Sequence, residues 1–240
     1  MSRFRSGRPA VVSDAQRRVR RSPLLFTAPI VLLVLLTAVL GWEIVRANMT
    51  EAARADWPWR LQLLDMEPLG SLLAVAAGAV LARAQYARTV RPALGWRADW
   101  KAGHLRGGVP EWQVGLLNGG SHTAVVEEYA CRVVLRDGTP SGPQGAAAPW
   151  TDVQGAAEVL TRAGLTVGED FQLVSMGNFP LVGAGSGETT LLGAFSQRCV
   201  DEVEALYLRV RVVDVVGDSH ERILDALKGA RSTAYRRPAL

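Results

Sequence analysis

Ser22 to Trp42 is a run of twenty-one residues without a charge, dominated by Leu, Val, Ala and Ile. Wound as an α-helix it is about 32 Å long, close to the hydrocarbon thickness of a bilayer. A helix on a soluble surface needs only one apolar stripe. An uncharged run of this length therefore reads as a transmembrane helix. Could it be a cleaved signal peptide instead? Its apolar core is too long, and Leu40-Gly41-Trp42-Glu43 offers no small-x-small cleavage site.

A second apolar run, Pro68 to Ala82, holds fifteen charge-free residues. It spans about 22 Å and is extended by Ala84, Gln85, Tyr86 and Ala87 if Arg83 snorkels to the lipid phosphates. A buried helix in a soluble domain is the competing meaning of a run this short. Gly70, Ala74, Ala77, Gly78 and Ala82 recur at helical spacing, allowing close packing against the first helix or a second copy of the chain. The outer flanks decide the orientation. Residues 1 to 23 carry seven Arg against one acid, Asp14. Past the second run stand Arg83, Arg88, Arg91, Arg97, Lys101 and Arg106 against Asp99 alone. The intervening loop is mixed in sign, with Trp57 and Trp59 flanking Pro58. Basic flanks are retained in the cytoplasm, so the chain is expected to form a hairpin in the inner (plasma) membrane with both termini inside. The expected divisions are a basic disordered tail (1–21), helices at 22–45 and 68–87 around an extracytoplasmic loop (46–67), a basic linker (88–110), a β-rich domain (111–227) and a flexible tail (228–240).

Charge divides with position. The sequence pI of about 9.5 belongs to the arms beside the membrane, whereas Gly107 to Leu240 holds eleven basic and sixteen acidic residues. A mildly acidic domain argues against a nucleic-acid partner, which needs a clustered basic face. Cys131 and Cys199 are too few for a disulfide framework and are expected as free, buried thiols.

From Trp112 the periodicity becomes two. Trp112, Val114 and Leu116 alternate with Gln113, Gly115 and Leu117 before the turn Asn118-Gly119-Gly120. Tyr129, Cys131, Val133 and Leu135 form one face of a longer strand, closed by Asp137-Gly138. Further strands are expected at 171–175, 189–195, 206–213 and 220–224. One helix is signalled at 151–163, with Thr151 and Gln154 as a capping box and Gly164 after its end. In the segment 92–111, Trp96 and Trp100 belong either at the membrane interface or beneath the domain. These features describe a small β-sandwich or barrel with one inserted helix. The segment Val114 to Val134 and the late pair joined by Gly217-Asp218 resemble strands of immunoglobulin-like β-sandwich domains, without their Cys–Trp–Cys arrangement.

The densest ionisable group is Asp214, Asp218, His220, Glu221 and Arg222, and Arg209 and Arg211 share one strand face. Arg209, Arg211, Asp214, Asp218, His220 and Arg222 are therefore the candidate ligand or partner contacts. Their bland meaning is a solvated hairpin end with local pairing. His104, His122 and His220 are scattered, and neither cysteine lies near one, so no metal or other cofactor is expected. Gly183, Gly185 and Gly187 resemble a phosphate loop only loosely, since Glu188 replaces the Lys-Ser/Thr ending. Ser186 is not in Gly-x-Ser-x-Gly. Glu127 and Glu128 are adjacent and face opposite sides of a strand.

With no nucleophile–base pair in view, the expected role is non-enzymatic. The β-rich domain is expected to bind a protein or peptide, or a second copy, at the bilayer surface through a sheet edge or Gly-rich loop. The order of two helices and a β-domain also resembles bacterial antiviral effectors whose β-barrel binds a cyclic nucleotide. That layout implies, as the alternative, a ligand-gated two-helix membrane effector with a small-ligand sensor.

Overall fold

The computed structural model describes residues 14–20, 23–136, 148–183 and 189–233. The turn at Asp137-Gly138, the glycines 185 and 187, Ser186 and the two chain ends lie outside the described residues. The chain divides into two compact units, Arg21–Val90 and a second that combines the first twenty residues with Arg91–Leu240.

The helical unit holds α1 (Pro23–Ala47), α2 (Glu51–Ala55) and α3 (Met66–Thr89). Within them, Thr27–Ala47 and Met66–Thr89 are each long and apolar enough to cross a membrane. Leu36 of α1 is buried with Leu69 and Ala76 of α3, supported by Leu33, Val39, Leu40 and Leu73. Outside this seam Val31, Leu32, Val34 and Leu35 are more than half exposed. Such a surface is a liability in water and ordinary in lipid. Gly70 and Gly78 do not make the seam. A Cβ on Gly70 or Gly78 meets nothing within 4 Å, because the burial period through Leu69, Leu73 and Ala76 turns them outward. After α1 the chain folds back on that helix's end. Leu63 N–H donates to Glu43 Oε1 (2.7 Å), Arg46 Nη1 pairs with Glu43 Oε2 (2.9 Å), and Trp42 stacks on Trp59 at 4.6 Å.

The β unit has two antiparallel sheets sharing one core. Sheet A runs β1 (Arg17–Arg20), β9 (Ser219–Asp225), β8 (Val203–Val213), β4 (Ala124–Leu135), β6 (Pro180–Leu181). Sheet B runs β2 (Leu94–Lys101), β3 (Glu111–Asn118), β7 (Thr190–Ser196), β5 (Phe171–Leu173). Trp112, Val114 and Leu116 of sheet B meet Cys131, Leu208, Val210 and Val212 of sheet A in the core. The alternation of period two that marks β3, β4 and β8 is this burial pattern. The Asn118-Gly119-Gly120 turn does not close a hairpin, since β3 and β4 lie in different sheets. Asn118 is buried at that corner, donating to the His122 and Leu181 carbonyls. The helix α4 (Val153–Arg162) packs Ala156 and Leu160 inward, but its N-cap is Asp152 rather than Thr151. Asp152 Oδ1 accepts from Gly155 N–H at 2.8 Å, while the Thr151 hydroxyl turns to the Asp152 carbonyl. A second short helix, α5 (Gln197–Glu202), precedes β8.

Three expectations are corrected here. The basic tail is not all unstructured: Arg17–Arg20 pairs with Ser219–Glu221 as a sheet strand. The linker contains β2, whose inward Trp100 packs edge-on against Trp112 and donates from Nε1 to the Ala230 carbonyl. The start of the C-terminal tail is held as well, with Ala230 buried and Arg231 donating to the Val200 and Val203 carbonyls behind α5. Cross-strand backbone bonding needs no apolar pattern, which is why the arginine-rich β1 leaves no hydrophobic trace.

Candidate functional site

The six candidate contacts separate onto two faces and one turn. Arg209 and Arg211 stand on the outer face of sheet A, in a row of alternating charge that crosses four strands. Glu128 of β4 takes Arg211 Nη1 at 2.5 Å and also accepts from Arg209 Nη2. Arg211 Nη2 reaches Glu221 of β9 at 2.9 Å, and Arg17 of β1 closes the row on Glu221 at 2.6 Å. The register places these residues opposite one another. Glu221 is thereby roofed: its side chain is 1% exposed. Burial alone pushes that carboxyl up, but hydrogen bonds and charge from Arg17 and Arg211 hold it below the usual glutamate range. Arg209 also stacks over the Trp150 ring, sharing it with Arg132.

His220 and Arg222 point the other way, toward the space between the sheets. His220 is 1% exposed and lies 2.9 Å through Nε2 from Asp214 Oδ2. Asp214 Oδ1 accepts the N–H groups of Val216 and Asp218, both at 2.9 Å. That aspartate therefore folds the β8–β9 turn around itself, with Gly217 in the left-handed region (φ 81°). Asp218 is buried too and meets Arg18 at 3.3 Å. The expected solvated hairpin end is thus a buried polar knot, because β1, two hundred residues away in sequence, lies over it. An ionised carboxylate can only accept, so Nε2 carries a proton in this contact. Nδ1 is buried without a hydrogen-bond partner among the described residues. No hydroxyl or thiol hydrogen-bonds His220 among the described residues.

Arg222 reaches the rim. It donates to the Leu94 carbonyl of β2 and to Asp14 Oδ1 (3.2 Å), whose other oxygen accepts from Trp96 Nε1 (3.2 Å). All six residues are bound into the chain's own framework. Asp14, Arg18 and Glu128, outside the candidate set, supply partners to Arg222, Asp218, Arg209 and Arg211.

A different stretch is left open. Gln16 binds the start of β2 as a neighbouring strand would, donating to the Pro92 carbonyl and accepting from Leu94 N–H, both at 2.8 Å. With Leu94 facing away from β3, the alternation of an antiparallel ladder turns the N–H and C=O of Trp96, Ala98 and Trp100 outward as well. Beyond Asp99 Oδ1, which accepts Trp100 N–H at 2.9 Å, no described group meets this outward edge from Trp96 to Lys101. The other three sheet edges are strands of two to four residues, whereas β2 has eight. Its outer face presents Arg97, Asp99 and Lys101, none in an ion pair among the described residues. Together with His104, Gln113 and Thr189 they line a groove of about 280 Å³ floored by Gly115. A Cβ there would stand 2.1 Å from Thr189 Cγ2. The signal was present in sequence: Leu94, Trp96, Ala98 and Trp100 alternate with Gly95, Arg97, Asp99 and Lys101. Flanking Pro92, Gly103, Gly107 and Gly108 disguised it as linker. No cluster of His, Cys, Asp or Glu suited to a metal occurs among the described residues.

No protein-family model matches the chain, and no curated protein or solved structure matches it either.

Proposed function

We propose that this chain is a non-enzymatic membrane-anchored protein whose β-rich domain receives an extended protein segment on the outer edge of β2. In this reading α1 and α3 cross the inner membrane as a hairpin, and the β domain stands on the cytoplasmic side. The pairing of β1 with β9 supports an even number of crossings, because the strand before α1 and the strands after α3 occupy one sheet. The arginines of both flanks favour the cytoplasm. The observation that carries the binding role is the eight-residue edge whose outward amides at Trp96 and Ala98 meet no described group. Unpaired edges are templates for strand addition, and natural proteins cover the ones they do not use. Anchoring concentrates the edge near partners in the same bilayer.

The alternative, a ligand-gated effector, rests on the order of two helices and a β-domain. A basic pocket at Arg209 and Arg211 would strengthen it, but both pair with Glu128, and Arg211 also with Glu221. The test places a photo-crosslinking amino acid at Arg97 of the full chain in cells. The expected result is one defined adduct, lost when Ala98→Pro removes an outward N–H while the domain stays folded. An adduct that survives Ala98→Pro, or none at all in the parent chain, overturns the edge as a binding site.

A further inference from the structure

We infer that the segment received by β2 is the β2 of a second copy of this chain, paired antiparallel about a two-fold axis at Ala98. The inference rests on the reading of β2 as a binding edge and names its occupant.

The outward amides decide which registers are possible. Trp96, Ala98 and Trp100 must bond to residues of the same phase in the second strand. Centred on Ala98, each Ala98 faces its counterpart and each Trp96 faces the other copy's Trp100, so every free outward position finds a partner. This register also uses all of Gly95 to Lys101. Leu94 is excluded at either end, since Gln16 and Arg222 already hold its N–H and C=O.

Charge then selects among the registers. Along the outer face the order is Arg97, Asp99, Lys101, positive, negative, positive. A simple anion does not fit this order, because Asp99 lies between the two cations. A strand of alternating sign does fit. In the Ala98-centred register Arg97 of each copy stands opposite Asp99 of the other, giving two reciprocal opposite-charge pairs. Centring on Arg97 sets Arg97 against Arg97. Centring on Asp99 sets Asp99 against Asp99 and Arg97 against Lys101. Moving the centre to Trp100 pairs Asp99 with Lys101 but leaves an overlap of only three residues, and moving it to Trp96 pairs no charges. Only the Ala98 register combines full overlap with complementary charge. It also gives Arg97 and Asp99 ion pairs that no described residue of their own copy supplies. On pairing, Trp100 N–H passes from Asp99 Oδ1 to the Trp96 carbonyl of the second copy, and the carboxylate turns to Arg97. Such an interface is isologous and closes at two copies.

The experiment uses the full chain in lipid nanodiscs, with two differently tagged copies co-expressed and one tag used to recover the other. Wild-type copies are expected to recover each other. Arg97→Asp sets acid against acid twice, and Asp99→Arg sets base against base twice, so each alone lowers recovery by about tenfold. Co-expression of an Arg97→Asp copy with an Asp99→Arg copy makes both pairs complementary again and restores recovery. The Arg97- and Asp99-centred registers set like charges together in the wild type and so predict a mixed pair that recovers better than wild type, whereas the Ala98 register predicts a return to the wild-type level. Single variants that recover as well as wild type, or a mixed pair that fails to recover, overturn the inference. If wild-type copies do not associate while the Arg97 adduct is still lost in Ala98→Pro, the occupant is a segment of another protein. The second-copy inference then falls and the edge reading stands. If copies associate and Ala98→Pro leaves both association and adduct unchanged, both fall together.

Discussion

Sheet A and sheet B treat the same residue types in opposite ways. Across the outer face of sheet A, Glu128, Arg211, Glu221 and Arg17 neutralise one another from β4 to β1, and a short terminal strand covers the edge. On β2 of sheet B, Arg97, Asp99 and Lys101 stand in the same alternation with no ion pair among the described residues, beside backbone groups that no described strand takes. Charge alternation on a strand face is thus one device with two uses. Matched within the chain it fixes a fold, and left unmatched at an edge it specifies a partner. What separates the uses is the neighbouring strand.

The largest difference expected between the two regions is chemical access. Cys131, on the inner side of β4, and Cys199 are fully buried, and burial, aided by Asp152 and Asp170 respectively, pushes both thiols up to about 12. Near pH 8 an ordinary thiol is partly ionised, so both should react with a maleimide about 10³-fold more slowly than a cysteine introduced as Arg97→Cys. Stopped-flow or mass-spectrometric labelling of the folded chain measures the ratio. Comparable rates would mean that sheet A is not closed. The same Arg97→Cys thiol should stay unlabelled by an impermeant reagent in intact spheroplasts and react after permeabilisation. Labelling from outside would put the β domain across the membrane.

Stability gives the second contrast. Glu221→Ala strips a buried carboxylate from between Arg17 and Arg211 and should cost about 2 kcal/mol, less than a fully buried pair because Arg17 is largely exposed. Asp99→Asn, at the open edge, should stay within about 0.5 kcal/mol. Denaturant melts of the full chain in detergent compare them, and equal losses would dissolve the distinction between a fixed row and a free one. The pH dependence carries the same signature. The carboxyl of Glu221 lies lower in the folded chain than in the unfolded one, so its stabilisation is complete above the unfolded value and fades as pH falls through the folded one. Glu221→Gln should remove that part of the acid dependence. Asp225 runs the other way, since burial raises its carboxyl. Its protonation therefore favours the folded form.

How far was this readable beforehand? The first helix was legible because twenty-one uncharged residues need no context. The strands β3, β4 and β8 and the helix α4 were legible because each buries one face at its own period. β1 was not, since its four residues are all exposed and it is held by backbone bonds and by arginines reaching acids far along the chain. The burial of the candidate contacts was hidden for the same reason. His220, Asp214 and Glu221 look solvated when the Gly217-Asp218 turn is read alone, and only the pairing of residue 17 with residue 221 shows them roofed. Local patterns reveal what a segment buries, and long-range pairing decides which charges are left over.

The smallest effect is the most specific, because it compares adjacent residues of β2. In the ladder with β3, Asp99 faces Gln113 and Ala98 faces Val114. If Leu94 marks the outward phase, the amide of Asp99 bonds to β3 and that of Ala98 points away. Proline removes one N–H at either site and prefers an edge position whose N–H faces solvent. Asp99→Pro should therefore destabilise the domain by about 1 kcal/mol more than Ala98→Pro, the net worth of one ladder hydrogen bond. Thermal melts read at the tryptophans in the core report the difference. Equal losses would mean that the outward phase is misassigned, and with it the edge at which the second strand is proposed to bind. A reversed order would place the free amides at Arg97 and Asp99, where their own side chains stand in the outer groove and the Ala98-centred register no longer closes.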